Sequence, residues 1–471
     1  MALPQHPDLF VLLQAILEHA VSRTQSFRTI PVTTSTDVEE YPELPDTGMG
    51  AQKTIEWVLE NIGTRVYNSV GPRYYAFVTG GVTEAALAAD WLSSVWDQNA
   101  IVGGQGVTSS LEEAAIRLLL SLFGLEENEY WGIFTSGATE SNVIGISIGR
   151  QLLCLEKFGI NVSEDGIDPG RVWVVGENVH SSFQKAASII GVGRRYLKNI
   201  PGMGCGEKGV NALENVLKDA ENKGAVCIVI AGFAEVNTGY FPDNTIQIAE
   251  VCKRYGAFFH IDAAFGAFAR CSPAYEHLAK GLELADTITA DGHKWLNVPY
   301  DCGLFFYRKQ HKKYLTATFG QNAAYLTEES QDQIPQPMNS GVANSRRWRA
   351  LPAFSTLLAY GRNGYRHIVE ENCRFAHRLF EWLRAHPEWY EVLIDQCPLN
   401  IVVFCGVPQQ YRGSEGNKRL LAAINGGGQV FMSETVWRGR PAIRAAISNW
   451  RTTLNDDWDN LQEELERVMR I

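Results

Sequence analysis

Lys294 stands in the stretch ITADGHKWLNVPYDCG (288–303), directly after a run of small and β-branched residues. A lysine ordinarily belongs on a wetted surface. One held in a low-dielectric setting gives up its proton more readily and becomes a nucleophile. Asp262 closes another apolar run, AFFHID, where a carboxylate is costly unless paired or hydrogen-bonded. TSGATE (135–140) follows the apolar YWGIF and precedes a helical pattern. A strand, a small-residue turn and a helix N-terminus together make an anion site from backbone N–H groups and the helix dipole. A tight turn with a capping threonine would have the same sequence. His180 follows RVWVVGENV where another helical pattern begins, and a lone histidine there is more often a cap or a packed residue than a functional one. Asp291 and His293, just before the lysine, complete the set.

Each signal is weak alone, but all of them fall after apolar strand-like runs. In open parallel sheets, ligands bind beyond the carboxyl ends of the strands. A lysine for a Schiff base, a carboxylate for a pyridinium nitrogen and a turn for a phosphate are what pyridoxal 5'-phosphate requires. The carboxylate keeps the ring nitrogen protonated, so that the ring accepts electrons. Asp262 and Lys294 are 32 positions apart (294 − 262), room for a helix and a strand.

The elements that must position these residues alternate between about 80 and 310. YWGIFTSG (130–137), RVWVVGENV (171–179), AVCIVIAGFAE (225–235), AFFHIDAAFG (257–266) and DTITADGHK (286–294) read as buried strands. Helical patterns such as ALENVLKDAENKG and IQIAEVCKRYG lie between them, which predicts an α/β fold with a mainly parallel sheet covered on both faces. Residues 8–21 and TIEWVLENIGTRV read as helices of an N-terminal arm that leans on something else. From about 350, helical sequence leads to NIVVFCGV and GQVFMSETVW, which suggests a smaller α+β lobe. The expected units are an arm over 1–80, a large cofactor-binding domain over 81–345 and a small domain over 346–471.

The chain has 471 residues, 45% of them hydrophobic and 20% charged, which makes an ordinary globular composition. A net charge of −11 with no basic run argues against nucleic acid as a partner. Nine cysteines without a CxxC pair read as reduced thiols, with neither a disulfide frame nor a zinc site. MALPQHPDLF lacks the features of a signal peptide, and no apolar run reaches membrane-spanning length. The expected setting is cytoplasmic. No G-x-G-x-x-G follows the first strand and no P-loop is present, which leaves a nucleotide-binding reading little support.

TSGATESN (135–142), HSSFQKAA (180–187), HIDAAFG (260–266) and DGHKWLNVPYDCG (291–303) occur in that order. On these four motifs the sequence resembles the group II pyridoxal-phosphate-dependent amino-acid decarboxylases, the family of aromatic amino-acid, histidine and glutamate decarboxylases. GPRYYAF (71–77) and IRAAISNWRTT (443–453) resemble outlying motifs, so the likeness spans roughly residues 35–465. It implies the fold type I architecture of the pyridoxal-phosphate transferases, with a seven-stranded-type sheet. It implies that Lys294 forms the Schiff base, that Asp262 pairs with the pyridine nitrogen, and that His180 and Ala264 cover the two ring faces. Gly137, Ala138 and Thr139, with His293, would hold the phosphate, and Asn237 or Thr238 would lie beside the ring. Arg444 falls where some members hold the substrate carboxylate. The family is an obligate homodimer with sites at the subunit interface, so residues 95–113 would reach the partner's pocket.

The resemblance implies decarboxylation of an L-amino acid to the amine. Side-chain selection would fall to residues near 71–82, 99–109 and 320–345, among them Tyr75, Phe77 and Gln105. Their aromatic character suggests an aromatic or other apolar substrate, although aromatic walls are often merely structural. The arginines of NSRRWR (344–349) read as a helix start that contacts the partner subunit. One departure stands out: the segment 327–352 has no tyrosine, where relatives carry a catalytic one on a mobile loop. In the family, loss of that tyrosine is associated with aldehyde formation, and other lineages break a different carbon–carbon bond. An aldehyde synthase and a C–C lyase are therefore the alternatives.

Overall fold

The computed structural model describes residues 9–34, 43–100, 106–320 and 336–470. Short runs rich in Val, Ile and Phe form the strands β1 (Tyr130–Thr135), β2 (Val172–Gly176), β3 (Leu197–Asn199), β4 (Val226–Gly232), β5 (Phe258–Asp262), β6 (Thr287–Asp291) and β7 (Gly303–Arg308). They make one seven-stranded sheet in the order β1-β7-β6-β5-β4-β2-β3. β1 and β2 are buried along their whole length, as strands covered on both faces must be.

The pairs from β3 through β6 are parallel, as expected. β7, which the sequence reading did not identify, runs antiparallel to both β6 and β1. A parallel return needs a crossover of about a dozen residues or more, usually helical. The eleven residues between β6 and β7 (292–302) carry the lysine segment and no helix. β3 also escaped detection, because three half-covered residues are too few for a pattern.

The helix Ala138–Phe158 starts at the end of β1 and lies across the sheet, buried along most of its length. It sits close. A Cβ on Gly145 would come within 2.7 Å of the His260 ring on β5. The sequence places no side chain there, and the helix descends onto the strand.

A second, antiparallel sheet follows the long helix Ala350–Ala385: β8 (Tyr390–Val392), β9 (Ile401–Gly406), β10 (Ser433–Trp437) and β11 (Arg440–Ala446), ordered β10-β11-β9-β8. The long helix packs against β8 and β9 of this sheet and against the helices Glu84–Trp96 and Thr108–Phe123. Two buried asparagines lock the parts together. Asn297 accepts from the backbone of Gly81 and Trp450 at 2.8 and 3.0 Å and donates to the carbonyls of Trp295 and Ser448. Asn449 donates to the carbonyls of Val70 and Gly71. The segments around 71–81, 294–297 and 448–450 therefore meet behind the lysine. Their approach is close enough that a Cβ on Gly80 would overlap the Lys294 carbonyl.

Gly145→Val tests the helix approach. Valine gains only a fraction of a kcal/mol over glycine in helix propensity, about 0.5, while overpacking costs about 1–3 kcal/mol. A net loss of about 1.5 kcal/mol is expected, measured as a lower urea midpoint with an unchanged slope.

Candidate active site

The C-terminal ends of β1, β2, β4, β5 and β6 surround a cavity of about 440 Å³ lined by Ala138, His180, Thr238, Asp262, Ala264 and Lys294. A more open cavity of about 830 Å³ shares Ala138, His180 and Lys294 and adds Phe77, Gly137, Thr139, Asn237, His293 and Arg444. Most of the residues singled out in sequence therefore converge here.

Lys294 is not left alone in an apolar setting. Its Nζ lies 3.2 Å from Asp291 Oδ2, and the Asp291 side chain is almost wholly buried. The other oxygen, Oδ1, accepts from the Ala138 N–H at 2.6 Å. Asp291 thus bridges the lysine and the N-terminus of the helix Ala138–Phe158. The sequence reading noted Asp291 but gave it no role. The signal was the same as for Asp262, a carboxylate closing an apolar strand.

Asp262 accepts from Asn142 Nδ2 at 3.1 Å and from the Ala264 N–H at 3.2 Å. Asn142 is fully buried, and its Oδ1 faces His260 Nε2 at 3.1 Å. His260 Nδ1 in turn meets Thr287 Oγ1 at 2.8 Å. His180 is open to the cavity, and its Nδ1 is held by Ser182 Oγ at 2.9 Å. Desolvation by the surrounding protein lowers the His180 pKa, against the opposing pull of Asp262. Burial likewise lowers His293, against Asp291. The His293 ring stacks on Tyr300 at 4.4 Å and accepts at Nδ1 from the Cys302 N–H.

Thr238 and Asn237 both lie at the site, and both bond to an acid the sequence reading missed. Thr238 Oγ1 and the Asn237 N–H donate to Glu235 Oε2 at 2.9 and 3.0 Å, and Asn237 Nδ2 donates to Oε1 at 3.0 Å. Burial raises the Glu235 pKa against these bonds. Thr238 lines the inner cavity and Asn237 the outer one, where Thr435 Oγ1 of β10 donates to Asn237 Oδ1 at 2.5 Å. Arg444 is buried, donates from Nη1 to the Val236 carbonyl at 3.1 Å, and keeps Nε without a partner.

Two expectations need correction or fall outside the described residues. Tyr75 does not reach the cavity; its ring is buried in the core against Phe375 at 5.6 Å. Its neighbour Phe77 does line the outer cavity. Gln105 lies outside the described residues. The arginines of NSRRWR bind their own chain. Arg346 forks onto both Glu112 oxygens at 2.8 Å, Arg347 pairs with Asp90 at 2.8 Å, and Arg349 pairs with Asp301 at 2.7 Å. The long helix does begin just after them, at Ala350.

The residues fit pyridoxal phosphate. The Asp291 carboxylate already engages one amide of the helix N-terminus, which marks that end as an anion site, and Thr139 lines the same cavity. His180, Ala264 and the Asp262 carboxylate line one cavity, and its volume would admit a planar ring among them. No cluster of metal-ligating side chains occurs among the described residues.

Comparison with known proteins agrees. Residues 36–405 match the pyridoxal-dependent decarboxylase conserved domain, and the chain belongs to that family. It is 26% identical to an aromatic-L-amino-acid decarboxylase of Bacillus atrophaeus over 91% of this chain and 86% of that one. It is 24% identical to a phenylacetaldehyde synthase of Arabidopsis thaliana over 90% and 89%. The fold superposes on Catharanthus roseus tryptophan decarboxylase, crystallised with L-tryptophan, with a TM-score of 0.86 at 20% identity, covering 99% of this chain and 100% of that one. The protein is a carboxy-lyase that uses pyridoxal 5'-phosphate.

Lys294→Ala should retain non-covalent cofactor but lose the yellow colour, reductive trapping by borohydride and all turnover. Any of the three persisting would move the nucleophile elsewhere. A second prediction concerns stability. Burial pushes His260 down to about 4 from an ordinary 6.5. Between those values the unfolded chain binds more protons than the folded one, so stability falls as pH drops through that window. The contribution is about 2 kcal/mol lost by pH 5. Urea unfolding at pH 7 and pH 5 should show this loss in the native chain and a clearly smaller one in His260→Gln.

Proposed function

We propose that the protein decarboxylates an L-amino acid with an aromatic or other apolar side chain to its amine, as a cytoplasmic homodimer with sites at the subunit interface. The arginines at 346, 347 and 349 pair with acids of their own chain and do not line the cavities, where Arg438 and Arg444 are found. The observation that carries the substrate class is the aromatic side chain in the lining of the outer cavity. Phe77, 60% exposed, offers an apolar contact at the outer cavity. The aromatic-amino-acid decarboxylases among the relatives support the same class.

In this reading Arg444, with its unpartnered Nε, holds the α-carboxylate. Gly137, Ala138, Thr139 and His293 hold the phosphate, and His180, Ala264 and Thr238 hold the ring. Asp262 keeps a proton on the ring nitrogen. When bound, the cofactor supplies a carbonyl carbon for amines and a ring that accepts the electrons of the broken bond. Lys294 supplies the amine that anchors the cofactor. His180, open to the cavity, stands where a proton can be delivered. A site closed to water favours expulsion of the carboxylate as neutral carbon dioxide.

The dimer is supported by apolar surface that the chain leaves uncovered. The helix Leu9–Gln25 has no buried residue and exposes Leu9, Leu13 and Leu17. The helix Glu84–Trp96 exposes Trp91, Leu92 and Val95, with Val95 72% exposed. Contiguous apolar faces of this kind mark interaction surfaces.

The absence of a tyrosine from 327–352 favours a second reading, in which decarboxylation is coupled to oxidative deamination by dioxygen. The resemblance to a phenylacetaldehyde synthase supports it. Incubation of the loaded enzyme in air with pooled L-amino acids, followed by mass spectrometry and a peroxide assay, separates the two. An aromatic amine without peroxide is expected. An aldehyde with peroxide and ammonia would establish the second reading, and no product from any aromatic or apolar amino acid would overturn the substrate class.

A further inference from the structure

Asn142 lies in the helix Ala138–Phe158 and touches neither cavity, yet every polar atom of its side chain is committed. The carboxamide oxygen can only accept, so His260 Nε2, 3.1 Å away, carries the hydrogen. His260 is fully buried and neutral, so its Nδ1 accepts from the Thr287 hydroxyl at 2.8 Å. The two amide hydrogens of Asn142 then divide, one to Asp262 Oδ2 and one to Ser182 Oγ, both at 3.1 Å. Flipping the amide would set its oxygen against the Asp262 carboxylate, so the orientation has one solution.

The direction continues outward. Ser182 Oγ accepts from Asn142, and its own hydrogen points to His180 Nδ1 at 2.9 Å. The backbone N–H of Ser182 donates to the same nitrogen at 3.2 Å. His180 Nδ1 therefore receives two donors, and the ring proton resides on Nε2, the nitrogen left for the cavity.

We propose that Asn142 is a positioning residue on which both working groups of the pocket depend: it clamps Asp262 for the ring nitrogen and, through Ser182, holds His180 as a neutral imidazole with its Nε2–H available to the bound substrate. The inference rests on the placement of Asp262 and His180 at the cofactor given above. Two donors on Nδ1 stabilise the neutral ring, so loss of either raises the His180 pKa. The charged groups that face this ring, Asp262, Asp291, Lys294 and Arg444, remain the same in the variants below.

The test uses Asn142→Leu, which keeps the branching of the side chain and removes every hydrogen bond, and Ser182→Ala, which cuts only the outer link. Nitrogen-15 histidine spectra of the cofactor-free full chain, assigned with His180→Gln, report the tautomer and midpoint of His180. The native chain should show the neutral Nε2–H form, and both variants should titrate higher by about half a unit or more. Pyridoxal phosphate affinity, followed by fluorescence, should fall by about tenfold or more in Asn142→Leu and by less than about threefold in Ser182→Ala. Unchanged His180 titration in both variants overturns the link to His180. Native affinity in Asn142→Leu overturns the clamp on Asp262. Should Asn142→Leu not fold, Asn142→Ala carries both readouts without added bulk. Asp262→Ala separates this inference from the one beneath it. Native cofactor affinity there would remove Asp262 as ring partner, while the histidine titration would still decide the link to His180.

Discussion

Two carboxylates closing buried strands impose the constraint on which the site is built. Asp262 ends β5 and Asp291 ends β6, and neither can stay at an apolar strand end without donors. The helix Ala138–Phe158 provides for both. Its first amide, at Ala138, answers Asp291, and one turn on, Asn142 answers Asp262. Lys294 supplies the remaining charge on Asp291. Lys294, the helix N-terminus and Asp262 are thus set by one helix pressed onto two neighbouring strands.

That helix can serve only if it lies close. The missing side chain at Gly145 lets it sit on the His260 ring, and the short Asn142 side chain then spans the gap to Asp262. A longer approach would leave His260, Asn142 and Asp262 each short of a partner in a fully or partly dry setting, where an unmade hydrogen bond costs about 1–3 kcal/mol. Behind the lysine, Asn297 and Asn449 tie the segment before residue 82 and the C-terminal lobe to the same strand end. The pocket wall is therefore assembled from distant stretches of chain but held by buried amides, whose donors and acceptors leave little choice of geometry.

The strand ends were legible because their signal is local. An apolar run followed by Asp, His or a small-residue turn announces both a buried strand and a polar tip, which sufficed for His180, Asp262, Lys294 and the 137–139 turn. The partners were not legible. Asn142, Ser182 and Thr287 are ordinary polar residues in sequence, and only their shared burial gives them a role. Glu235 hid inside AEVNTG for the same reason. Tyr75 shows the converse error: an aromatic in the right segment faces the core, while Phe77, two positions on, faces the cavity. The arginines at 346, 347 and 349 read in sequence only as a helix start, yet each pairs with an acid far away along the chain.

By itself the sequence determined the alternation of strands and helices, the edge of the sheet where chemistry gathers, and the cofactor class, because hydrophobic periodicity and motif spacing are properties of neighbours along the chain. Tertiary structure alone decided that β7 returns antiparallel, that Lys294 pairs with Asp291, and which nitrogen of His180 is left for the cavity. Those outcomes depend on which buried donor meets which acceptor across the fold, and no local pattern encodes that pairing.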